Sequence, residues 1–226
     1  MNEKLEFQRL EEAAMLKAAK DFYASMKTRR TVREFTSEPV PAQVIRDALL
    51  CAGTAPSGAN MQPWHFAITT DPATKTQIKI AAETEEKTFY TKRASDEWLK
   101  ALAPLGTDEH KPFINTAPVL IGVFLKKFSF TEDGKRLKNY YPYESLGIAC
   151  GMLISALHLA GLATLTHTPS PMAFLNQAFE RPKTERPYLL LVVGYPEENC
   201  QVPAIEKLPF EEIVSVVGEQ TQGYFK

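Results

Sequence analysis

Four groups of residues carry side chains suited to chemistry. Arg29, Arg30 and Arg33 fall within five residues around Thr31, and guanidinium forks bind phosphate or carboxylate in a bidentate manner. The run Gly53-Thr54-Ala55-Pro56-Ser57-Gly58-Ala59-Asn60-Met61-Gln62-Pro63-Trp64 joins small residues, a hydroxyl and two prolines. Small side chains there let a backbone approach a flat ligand, and Ser57 can donate its hydroxyl. Thr164-Leu165-Thr166-His167-Thr168 is a short β-prone segment rich in hydroxyls. Glu86 and Tyr90 stand four apart, so on a helix they share a face, and Lys111 lies just before Asn115-Thr116-Ala117-Pro118. Taken singly, each group is ordinary: a solvated basic helix end, a connecting loop, a surface pair. Their joint presence is what needs an explanation.

Other chemistries are poorly served. The sequence has no GxGxxG after a strand, no GxxxxGK[ST], no GxSxG and no HExxH. Three widely spaced cysteines and four scattered histidines form no metal-ligand spacing, so no metal is expected and free thiols are the natural reading. With 26 basic and 27 acidic residues there is no global pull toward nucleic acid or anionic membrane. No apolar run approaches the roughly 20 residues that span a bilayer, and the polar start lacks a signal-peptide pattern. These features predict a soluble, cytoplasmic protein.

The elements that must position these residues follow from periodicity. Residues 2–27 read as an amphipathic helix through Phe7, Leu10, Ala14, Ala18, Phe22 and Met26, whose stripe needs a core or a partner subunit to bury it. Residues 42–52 form a second amphipathic helix. Residues 64–70 alternate like a strand, and Asp71-Pro72 starts a helix that runs through the eighties, with Asp71 as N-cap. Residues 84–112 are polar with scattered apolar anchors, which suits an active-site lid. Residues 117–125 and 188–195 read as buried strands, and 131–138 as a charged turn. Residues 144–160 are apolar nearly all round, a helix buried on every side, ended by Gly161. Residues 172–179 read as helical, 199–209 as a Pro-bounded arm, and the tail after Val217 as frayed. Helices and strands interleave without a boundary, which predicts a single α/β-type domain over residues 1–226, with 199–226 as arm and tail.

Set together, Arg29-Arg30-Thr31-Val32-Arg33, the 54–64 loop, Ala160-Gly161-Leu162 and Val193-Gly194-Tyr195-Pro196 resemble the FMN-dependent nitroreductase superfamily, and within it the iodotyrosine deiodinases. The resemblance spans about residues 27–217. It implies an α+β nitroreductase-like fold, a mostly antiparallel sheet flanked by helices, in a domain-swapped homodimer with FMN at the interface. Arg29, Arg30, Thr31 and Arg33 would hold the phosphate and ribityl end. Pro56, Ser57 and Gly58 would meet the flavin from the partner subunit. Thr166, His167 and Thr168 would line the flavin, with the Thr168 hydroxyl at N5. Lys207 falls where animal members carry arginine, and lacks its fork. His167 stands where the family has threonine.

Glu86, Tyr90 and Lys111 match the family's substrate clamp: a carboxylate for an ammonium, a cation for a carboxylate, and a phenol between them. The Ala59 amide would meet a substrate phenolate, so Ala59→Pro should harm binding far more than Ala59→Ser. The implied activity is reductive dehalogenation of halotyrosines, with electrons ultimately from NAD(P)H through a partner flavin reductase. Two alternatives remain: a general NAD(P)H-dependent nitroreductase or quinone reductase, and a non-catalytic flavin- or tyrosine-binding module.

Overall fold

Two apolar runs set the centre of the molecule. β2 (Val119–Lys126) and β6 (Glu185–Gly194) are buried along most of their length and pair antiparallel, Ile121 opposite Leu191. β1 (Trp64–Thr69) pairs with β2, and β5 (Ala163–His167) with β6, giving one four-stranded antiparallel sheet in the order β1-β2-β6-β5. A computed structural model describes residues 2–218 together with Thr221 and Gly223.

Strand alternation divides the core into two. Ile121, Val123, Leu125 and Leu191 face α2 (Ala42–Gly53) and α6 (Pro142–Leu159). Leu120, Phe124, Leu190 and Val192 face α3 (Pro72–Thr88), α5 (Phe113–Thr116) and α7 (Phe174–Ala178). Gly122 sits in the second layer because a Cβ there would lie 2.8 Å from the Phe179 ring. The capping expectation for α3 holds: the Asp71 carboxylate accepts from the Thr74 N–H at 2.7 Å, and Pro72 opens the helix.

Three sequence expectations change. The first helix, α1, spans Glu12–Thr28, not residues 2–27; Glu11 makes no side-chain cap and α1 buries no residue. Its upstream stripe, Leu5, Phe7 and Leu10, stays exposed, so nothing within the chain supports a longer helix. Helix α6 is buried on one side only: Leu146, Ala149, Leu153 and Leu157 face the core, while Ile148 and Leu159 are exposed. The charged turn at 131–138 is a small hairpin of β3 (Phe128–Phe130) and β4 (Arg136–Lys138). The remaining helices are α4 (Asp96–Leu102) and α8 (Phe210–Ile213). Much of the expected frayed tail lies outside the described residues. Among the described residues, no helix is long and apolar enough to cross a membrane, and no cluster of His, Cys, Asp or Glu is arranged to hold a metal.

Candidate active site

The arginine segment is positioned as an extra edge beside β5. Thr31 bridges Thr164 in parallel fashion, the Val32 N–H donates to the Thr164 carbonyl at 3.2 Å, and the Thr36 N–H to the Tyr195 carbonyl at 2.9 Å. Val32 and Phe35 are buried beneath it. The C-terminal arm folds back across this segment: the Gln201 N–H donates to Glu34 Oε2 at 2.9 Å, and Arg30 Nη2 donates to the Pro203 carbonyl. Arg29, Arg30, Thr31, Arg33 and Lys207 therefore line one cleft of about 170 Å³. Its cationic wall suits a phosphate.

Arg33 also lines a second cleft of about 240 Å³, which runs between the 84–112 segment and the end of β5. Thr166, His167 and Thr168 form one wall; Glu86, Tyr90 and Lys111 form another. The expected clamp residues thus gather, but they satisfy one another. Lys111 Nζ lies 3.3 Å from Glu86 Oε2, both side chains nearly buried, and 5.8 Å from the Tyr90 ring centroid. The Lys111 ammonium also donates to the Asp108 carbonyl, and its backbone N–H donates to Glu83 Oε1 at 2.8 Å. The Tyr90 hydroxyl donates to Thr107 Oγ1 at 3.0 Å. Burial raises the Tyr90 pKa, opposed by the Thr107 bond and helped by Glu86 and Asp108, so the phenol remains a neutral donor. Burial also lowers the Arg33 pKa, with Tyr90 acting in the opposite sense.

His167 is the unsatisfied member of the site. Its ring is 7% exposed, packs edge-on against Phe113 at 5.8 Å, and leaves Nε2 buried without a hydrogen-bond partner. Burial first, then the charges of Lys111 and Arg33, push its pKa down to about 3, so the imidazole is neutral.

The 84–112 segment is better anchored than its polarity suggests. Residues 89–93 form one π-helical turn, and the Phe89 ring meets Tyr90 at 5.3 Å and Trp98 at 4.9 Å, both edge-on. Sequence reasoning passed over Phe89, Trp98, Thr107 and Asp108; the aromatic spacing at 89, 90 and 98 was the available signal.

Pro56, Ser57, Gly58 and Ala59 line neither cleft. The reason is topological. Ala55 and Trp64, at the two ends of this loop, anchor it in the core that faces α2 and α6, whereas the 240 Å³ cleft opens on the side of Phe113 and Leu165, across the sheet. The loop is tightly folded. A Cβ on Gly58 would meet the Tyr140 carbonyl at 2.7 Å, and Ala59, Asn60 and Gln62 have φ of 50°, 53° and 47°, a region costly for residues with a Cβ. Ser57 Oγ accepts from the Gln62 N–H at 3.0 Å, and the Asn60 and Met61 amides bond back to Ser57 and Gly58. The Gly58 and Ala59 N–H groups have no partner among the described residues. Positive φ at Ala59 excludes proline outright, so the expected contrast of Ala59→Pro with Ala59→Ser reports loop strain before it reports ligand binding.

Comparison with known proteins gives the chain's family. The profile of the Nitroreductase family matches residues 26–195. An iodotyrosine deiodinase from Haliscomenobacter hydrossis is 51% identical over 193 residues, 85% of this chain and 87% of that protein. Human iodotyrosine deiodinase 1 is 39% identical, covering 91% of this chain and 72% of its own. The crystal structure of an oxidised iodotyrosine deiodinase bound to FMN and 3-iodo-L-tyrosine superimposes with a TM-score of 0.71 at 33% identity, over 83% of this chain and 96% of that one. The chain belongs to the nitroreductase family, on its iodotyrosine deiodinase branch, and has that family's α+β fold.

Proposed function

We propose that this protein is an FMN-dependent reductive dehalogenase of halotyrosines, acting as a homodimer. The observation that carries the reading is the nearly buried Glu86–Lys111 pair at 3.3 Å beside Tyr90, in a cleft that shares Arg33 with the cationic one. Generic reduction of a nitroaromatic has no need of a buried acid and base that together match an amino-acid zwitterion.

The residues present fit FMN. Arg29, Arg30, Thr31 and Lys207 would hold its phosphate, and Arg33 stands where the two clefts meet. Thr166, His167 and Thr168 would face the ring, where the orphaned His167 Nε2 would gain a polar partner. Bound FMN, once reduced, supplies two electrons; with a proton, these replace iodide by hydrogen on the phenol ring. The protein contributes orientation and electrostatics. Glu86 takes the substrate ammonium, Lys111 its carboxylate, and Tyr90 donates as a neutral phenol. The 84–112 segment covers substrate and excludes water, which strengthens each of these contacts. The Thr168 hydroxyl, which has no partner among the described residues, would donate to flavin N5.

Pro56, Ser57, Gly58 and Ala59 come from a second copy in this reading, since they lie across the sheet from their own chain's clefts. The unpaired Ala59 amide would then meet the phenolate. Two exchanged arms would bring the exposed faces of α1 and α6 together. Reducing equivalents come ultimately from NAD(P)H, through a separate reductase, and the setting is the cytoplasm.

The test is Glu86→Gln in the FMN-loaded protein. Loss of a charged hydrogen bond worth about 1.5–3 kcal/mol should weaken 3-iodotyrosine binding by roughly ten- to a hundredfold. Turnover of a nitroaromatic with the same reductant should stay within about twofold. Unchanged iodotyrosine affinity would overturn the clamp.

A further inference from the structure

Another, larger cleft of about 1030 Å³ opens between the β3–β4 hairpin, α7 and the start of β6. Lys127, Arg136, Arg181, Lys183 and Arg186 line it, against one acid, Glu185. That acid is already neutralised: Arg181 Nε and Nη2 donate to its two carboxylate oxygens, each at 2.8 Å. Two of the other cations are held against aromatic residues. The Arg136 guanidinium lies 4.2 Å from the Phe128 ring centroid, and Arg186 Nη1 donates to the Tyr143 hydroxyl at 2.9 Å. The whole chain carries a formal charge of −1, so this positive field is local. It also lies close to the candidate active site. Ser170 lines that cleft and Ala173 this one, three residues apart, so at most about 11 Å of chain separates their Cα atoms.

Resting on the proposed reduction of FMN, we propose that this cleft docks a small acidic one-electron carrier protein, of the iron–sulfur or flavin class, which loads the site with electrons. Each halide released consumes two electrons, so two reduced carriers are oxidised per turnover. Charge complementarity picks the occupant: a negative surface is attracted to the four cations left once Arg181 is paired with Glu185, and they steer its encounter. A nicotinamide dinucleotide would instead have to contact the flavin directly, and this cleft stands apart from the flavin walls.

The probe is a reduced 2Fe–2S ferredoxin, with FMN bleaching near 450 nm followed anaerobically in the loaded protein. Binding of the same ferredoxin, in its oxidised form, to the FMN-loaded protein is measured by surface plasmon resonance. Wild-type bleaching and binding should each fall at least tenfold between about 0.05 and 0.5 M salt. The double variant Arg136→Glu/Lys183→Glu should lose at least tenfold in both at low salt. Its halide release with dithionite should be unchanged, which shows that it is folded and loaded. Unchanged ferredoxin binding in the variant, a salt-insensitive wild-type rate, or no reduction of wild type by ferredoxin would each overturn the docking site. Loss of direct reduction by NADPH in the variant would assign the cleft to a dinucleotide and also overturn it. No halide release from wild type with dithionite would sink the dehalogenase reading instead, a separate failure.

Discussion

His167 shows how one buried imidazole changes the physics of a site. Its folded pKa of about 3 lies below the ordinary histidine value, because burial and two nearby cations disfavour the imidazolium. The unfolded chain therefore binds the proton more readily between about pH 3 and 6.5. The His167 contribution is fully present above pH 6.5 and is lost as pH falls toward 3, with a limiting slope near 1.4 kcal/mol per pH unit. His167→Gln should flatten the fall of urea-unfolding free energy across pH 4–6 by about one proton. An identical slope in the variant would show that the buried imidazole is not the group titrating. The types and spacing of Glu86, Tyr90 and Lys111 were legible in the sequence. Their mutual pairing was not, because a side chain four residues from another on a helix says nothing about a lysine 25 positions further along. The orphaned Nε2 was equally invisible, since burial depends on Phe113, which belongs to a different element.

At the level of elements, the strongest signals were those with local causes. The uninterrupted apolar runs became the two central strands, and Asp71 caps α3 through the Thr74 amide. Elements whose stability is borrowed were misjudged: α1 was started ten residues too early, and the three-residue strands β3 and β4 are too short for periodicity to register. Gly122 illustrates a constraint that no local pattern reveals. In the centre of β2 it leaves room for the Phe179 ring, which packs edge-on against Phe124 at 6.0 Å. Gly122→Ala should cost about 1–3 kcal/mol by overpacking, visible as a lower urea midpoint at an unchanged m-value. A midpoint equal to wild type would mean that the ring pair yields freely.

At the scale of the whole molecule, the apolar surface is too large for an isolated chain. Helix α1 has no fully buried residue, Leu16, Phe22 and Tyr23 are exposed, and α6 presents Ile148 and Leu159 to solvent. Sequence periodicity placed Phe22 on an apolar stripe but not Leu16 or Tyr23, and it read α6 as buried on every side, because periodicity cannot tell a face that packs on the chain's own core from one that does not. The proposed dimer accounts for the surface and for the loop at 56–59 at once. Ile148→Glu should shift sedimentation from dimer to monomer at micromolar concentration and weaken FMN retention by at least tenfold, because each flavin site would lose half its wall. A variant that stays dimeric and yellow would exclude this face of α6 from the interface.

The Glu86–Lys111 pair has one more consequence. On the proposed clamp, the cleft holds an internal imitation of its substrate before any arrives: one anion and one cation, nearly dry, at contact distance. Entry is then an exchange of partners, in which a zwitterion replaces each half of the imitation with its own opposite charge. A molecule bearing only the ammonium or only the carboxylate frees one buried charge without offering it a substitute, at a penalty on the order of 3–5 kcal/mol. Selectivity against such half-matched molecules is thereby written into the resting state, before the chemistry at the ring begins.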